Sequence, residues 1–159
     1  MNEDSIIQYI TGTFEGVETE TLPGGTFFFY GDYRMLPFAT LVTNDDFDQA
    51  SNLSRPSVFR LNIGIRKQTF RSLFGQQTSR KSQLSGQPQP SLSGTGDVAE
   101  RGYDFTALDQ LMPHPEYGNM NWVCVLNPSD ATFQEVVQPL LAEAYDLAVS
   151  NQSNRAARA

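Results

Sequence analysis

Arg55-Pro-Ser-Val-Phe-Arg-Leu-Asn-Ile-Gly64 alternates with a period of two, and it decides the fold class. Phe59, Leu61, Ile63 and Ile65 point one way; Arg60, Asn62 and Gly64 point the other. Such alternation belongs to a β-strand with an apolar face and a polar face. Upstream, Phe38-Ala-Thr-Leu-Val-Thr43 carries apolar residues on both faces, as an interior strand does. Between the two runs lies an acidic connection with Asp45, Asp46 and Asp48. Arg60 and Asn62 therefore stand side by side on a rigid element, a cation beside an amide.

Working outward, the spacing predicts a first helix over about Asp4 to Thr11, started by Asn2 or Asp4 and stopped by Gly12. Val17 to Thr21 and Thr26 to Tyr30 flank Pro23-Gly24-Gly25, a hairpin signal. A second helix is expected over Lys67 to Phe74, and a short one over Thr106 to Met112. Asn121 to Leu126 is apolar throughout, a buried strand. In the last helix, Phe133, Val137, Leu140, Ala144 and Leu147 form one stripe to about Val149. Pro139 must kink or divide that helix, because it lacks an amide donor. The expected architecture is two-layer α+β, with a mainly antiparallel sheet and flanking helices.

The chain of 159 residues fits one domain, expected over 1–150. Residues 75–102 are rich in Gln, Ser, Gly, Pro and Thr. So polar a stretch cannot offset its ordering entropy by burial, and it reads as a flexible insert rather than a lid. Residues 151–159 are expected to form a disordered tail.

The formal charge is −7, and it is segregated. Nine acids and two bases lie in 1–58, two acids and seven bases in 59–102, seven acids and two bases in 103–159. Overall acidity argues against nucleic acid, with the basic segment 60–81 as the place where weak binding would occur. A single cysteine, Cys124, excludes an internal disulfide framework. No secretory signal and no run long enough to span a bilayer is visible, so a soluble cytoplasmic protein, monomer or homodimer, is expected.

Arg60 offers a planar fork to carboxylate or phosphate, and Trp122 could line the same site as a ligand-binding aromatic. The alternative for Arg60 is a structural ion pair with Asp45, Asp46 or Asp48. Gly64 would let a ligand or another backbone approach closely. His114, the sole histidine, lies between two prolines and two residues before Glu116. It is the one candidate catalytic residue, a general base oriented by that carboxylate; the alternative packs it under the sheet. The acidic cluster lacks the glycine and terminal glutamate of a calcium loop, so no metal and no cofactor are expected. Cys124 sits in an apolar strand and should be inert.

Phe38-Ala-Thr-Leu-Val-Thr43, Ser54-Arg-Pro-Ser-Val-Phe-Arg-Leu-Asn-Ile-Gly64, Tyr103-Asp-Phe-Thr-Ala-Leu-Asp109, Met112-Pro-His-Pro-Glu-Tyr117, Trp122-Val-Cys-Val-Leu-Asn-Pro128 and Pro139-Leu-Leu-Ala-Glu-Ala-Tyr145 together resemble a bacterial family catalogued as domain of unknown function 6194. More remotely, a Trp before a late strand and a final helix ending in Glu-Ala-Tyr look like MmcQ/YjbR proteins. That resemblance implies a small secretion-chaperone-like or frataxin-like fold and carries a DNA-binding label, which the acidity of this chain opposes. It supplies no catalytic residues. The resulting expectation is a non-enzymatic binding or interaction module for an anionic small molecule or a protein segment. The alternative is an enzyme using His114 and Arg60.

Overall fold

The computed structural model describes residues 1–32, 36–75 and 103–158. Helix α1 (Glu3–Thr13) begins where the Asn2 carboxamide accepts the Ser5 N–H at 2.8 Å. Gly12 lies inside α1 rather than ending it; the chain leaves the helix at Phe14. Strands β1 (Val17–Leu22) and β2 (Gly25–Tyr30) pair as the expected hairpin, with Gly24 at φ 91° supplying the left-handed turn residue. Then come β3 (Ala39–Val42), β4 (Arg60–Gly64), a short α2 (Lys67–Phe70), β5 (Met112–Pro113) and β6 (Trp122–Leu126). The six strands form one open sheet in the order β1-β2-β3-β4-β6-β5, antiparallel throughout. The architecture is α+β.

The second helix is a single α turn that continues as a wider π turn over Arg71–Gly75. The helix expected over Thr106 to Met112 is not formed. Asp104 instead takes the Thr106 N–H and hydroxyl to close a turn, and Met112–Pro113 pairs with β6. Edge pairing suits Pro113, which has no N–H to give a ladder.

The last helix, α3, comprises Asp130–Thr132, a π turn over Phe133–Val137, and Gln138–Arg158. Ser129 caps it by accepting the Thr132 N–H. In the π turn the Gln138 N–H reaches Phe133 O, one residue further back than an α-helix allows. That widening, directly before Pro139, absorbs the missing donor and ring clash expected of proline. The segment 151–159, expected to be disordered, is helical to Arg158. It contains neither Gly nor Pro, and Ala, Arg and Gln favour helix. The expected insert over 75–102 lies, beyond Gly75, outside the described residues.

Alternation in the strands divides the sheet into two unlike faces. Phe28, Leu41, Leu61, Ile63 and Val125 face the helices and pack with Ile6, Ile10, Val137 and Leu141 in the main core. Among the described residues no helix packs on the opposite face. Its β3 and β6 residues Val42, Cys124 and Leu126 are covered by Leu53, Val58 and Phe105 from connecting loops. Beside that smaller cluster this face carries Thr40, Asn62 and Arg60. Among the described residues no helix is long and apolar enough to cross a membrane.

Candidate functional site

The helix-free face holds a cleft of about 330 Å³ between β2, β3, β4 and the segment after β5. Its floor is polar. Arg60 is 1% exposed, and Asn62 and His114 are each 3% exposed. Phe27 and Trp122 line its walls, and Leu36, Phe47, Tyr117 and Met120 form an exposed apolar rim.

Arg60 organises the floor. Its Nε donates to Asn62 Oδ1 at 2.9 Å, and Asn62 in turn donates to Thr40 Oγ1. Nη1 donates to Asp48 Oδ1 at 3.0 Å and to Ser51 Oγ at 2.9 Å, while Nη2 donates to Asp48 Oδ2 at 2.6 Å. The Arg60–Asp48 pair is a bidentate fork, the strong form of this interaction. Burial works against ionising Asp48, but the hydrogen bonds and charge of Arg60 outweigh it and hold the carboxyl below its usual 3.8. Of the two accounts of Arg60, the ion pair is therefore realised, with Asp48 as the partner. Asp45 is used elsewhere, accepting the Leu53 N–H at 2.8 Å. Ser51 and Thr40 belong to the cluster without any signal in the sequence, since a lone hydroxyl in a loop or strand looks like countless others.

His114 reaches the floor from the chain after β5. Its Nδ1 accepts the backbone N–H groups of Glu116 and Tyr117, each at 3.0 Å. The orienting group is thus the backbone of Glu116, not its carboxylate, which corrects the expected arrangement. A nitrogen that accepts two N–H bonds carries no proton, so the neutral ring holds its hydrogen on Nε2. Burial, then the Arg60 charge, push the His114 pKa down to about 3 against the opposing pull of Asp48. Such an imidazole donates a hydrogen bond at neutral pH and does not abstract protons. Nε2 lies 3.4 Å from Arg60 Nη2.

Trp122 stands opposite Gly64 across the β4–β6 pair, and its ring covers that glycine. A Cβ at residue 64 would come within 2.9 Å of the indole. Gly64 therefore makes room for Trp122, not for a ligand or a second backbone. The structure brings Arg60, Asn62, His114 and Trp122 to one cleft. Tyr30, at the end of β2, lies away from it, its ring against Tyr145 on the helical side. Cys124 is buried, and burial pushes its thiol up to about 12. In the basic segment 60–81, Arg60 is buried, Arg66, Lys67 and Arg71 are exposed, and Arg80 and Lys81 lie outside the described residues.

These features define an α+β domain with an open antiparallel sheet, helices on one face and a polar-floored cleft on the other. The chain belongs to a family of unknown function, DUF6194, which matches residues 1–157. No curated protein and no solved structure matches it.

Proposed function

We propose that this chain is a non-enzymatic binding module that seats a small molecule in the cleft on the helix-free face. The observation that carries the reading is an apolar cleft closed below by a polar cluster built on the buried Arg60, Asn62 and His114. Apolar walls with a few convergent polar groups are the usual composition of a ligand site, and about 330 Å³ lies at the lower end of their size range. The MmcQ/YjbR-like, secretion-chaperone-like reading of the fold belongs with this proposal. An enzyme built on His114 and Arg60 is less well supported. His114 has no free basic nitrogen, and Arg60 is already held by Asp48.

The test is native mass spectrometry of the freshly purified chain, repeated with Tyr117→Ala. Tyr117 is exposed and its ring lies 4.8 Å from that of His114, so truncation opens the cleft without touching the core. A reproducible added mass that is lost in Tyr117→Ala supports the reading. An added mass retained in that variant places the occupant elsewhere and overturns it.

A further inference from the structure

The cleft floor has more donors than acceptors. Four of the five N–H groups of Arg60 are taken by Asn62, Asp48 and Ser51. The fifth, on Nη2, is directed to the edge of His114, whose Nε2 is 3.4 Å away. Because Nδ1 of that ring is occupied by two backbone N–H groups, Nε2 is itself a donor. Two N–H groups therefore converge at the floor, and among the described residues no acceptor bonds to His114 Nε2. Buried donors left unpaired are costly, so the arrangement is complete only when an oxygen sits beside both.

The charge of that oxygen follows from its surroundings. Asp48 neutralises Arg60 and His114 is uncharged, so the floor offers no net positive charge. Glu116 adds a carboxylate to the cleft lining. A carboxylate or phosphate would give up its hydration here without a free cation to replace it. A carbonyl would not. The aromatic rings of Phe27, Phe47, Tyr117 and Trp122 around the opening suit a ring or another flat apolar body.

We propose that the ligand is an uncharged carbonyl compound with an aromatic body, its oxygen accepting from His114 Nε2 and Arg60 Nη2. This rests on the reading of the cleft as a binding site, and it replaces the anionic ligand that Arg60 suggested in the sequence.

Trp122 is the sole tryptophan and lines the cleft, so its emission reports occupancy. The whole chain is titrated with three probes of one shape: benzylacetone (a neutral ketone), hydrocinnamate (its carboxylate counterpart) and isopentylbenzene (no acceptor). The expected result is a saturable change with benzylacetone at a concentration lower than for either other probe, by about threefold to tenfold, the worth of one or two hydrogen bonds. His114→Asn should shrink that preference, since only the Arg60 Nη2 donor then remains. The asparagine oxygen can still accept the two backbone N–H groups, and a thermal melt checks that the variant is folded. Equal binding of ketone and hydrocarbon overturns the acceptor while keeping the cleft as a site. Tighter binding of hydrocinnamate overturns the neutral carbonyl in favour of an anion. No saturable change with any probe overturns both.

Discussion

Arg60 and His114 are held by opposite devices, and their responses to mutation differ accordingly. Arg60 is a buried cation whose partners are all side chains, so removing it leaves Asp48 as an uncompensated buried charge. Arg60→Ala should destabilise the fold by about 3–5 kcal/mol. The double change Arg60→Met with Asp48→Leu should recover most of that loss, since an apolar pair of similar volume often replaces a buried ion pair without cost. Urea denaturation of the three chains checks both, and a double variant as unstable as Arg60→Ala would show that Asp48 matters for something besides the pair. His114 is fixed by backbone donors and stays neutral. In the unfolded chain it takes up a proton near pH 6.5, and in the folded chain only near pH 3. Acidification through that window therefore favours the unfolded chain, by up to about 1.4 kcal/mol per pH unit. Asp48 acts in the same direction below pH 3.8, because its folded carboxyl resists protonation. Stability measured from pH 7 to pH 4 should fall in the native chain and be nearly flat in His114→Asn. A native profile as flat as that of the variant would contradict the buried neutral imidazole.

The strand β4 is the element on which the two faces meet. Phe59, directly before it, is 3% exposed and packs into the helical core, so Phe59→Ala should cost about 3–5 kcal/mol. An unchanged denaturation midpoint would refute that placement. At the other end of β4, Gly64→Ala forces a methyl against the Trp122 indole. We expect a loss of about 1–3 kcal/mol together with a shift in tryptophan emission, as the ring must move. A stability loss without a spectral change would mean that the strain is absorbed elsewhere. The helices show a comparable division of labour. In α3 the π turn before Pro139 lets one continuous helix follow the core despite a residue that ordinarily breaks it.

At the level of the whole molecule, the described helices cover one side of the sheet, and on the other the described residues leave a cleft. Leu36, Phe47, Tyr117 and Met120, all more than 45% exposed, gather at the cleft mouth rather than scattering over the surface. Clustering of this kind marks a place that meets something other than water. Met120→Glu should reduce binding of a hydrophobic dye such as anilinonaphthalene sulfonate while moving stability by less than about 0.5 kcal/mol. Dye binding that is unaffected would place the accessible apolar surface away from the cleft.

Much of this was legible along the chain because it is local. Alternation at Phe59 to Ile65 gave both the strand and the separation of Arg60 and Asn62 from the core, for a period of two admits no other arrangement. The Pro23-Gly24 turn and the disturbance at Pro139 were local in the same sense. The failures were local signals overruled from a distance. Thr106 to Met112 looks helical in isolation, yet edge pairing of Met112–Pro113 with β6 takes it. Gly64 looks like an opening, yet the opposing Trp122 fills it. The site itself was half visible. Composition and alternation supplied Arg60, Asn62, His114 and Trp122 as separate candidates. Only the tertiary structure decided that Asp48 rather than Asp45 or Asp46 holds Arg60, that Ser51 completes the cluster, and that His114 turns Nε2 toward the floor as a donor. Those choices depend on hydrogen-bond geometry between segments far apart in the chain, and no periodicity encodes which of several equivalent carboxylates will arrive.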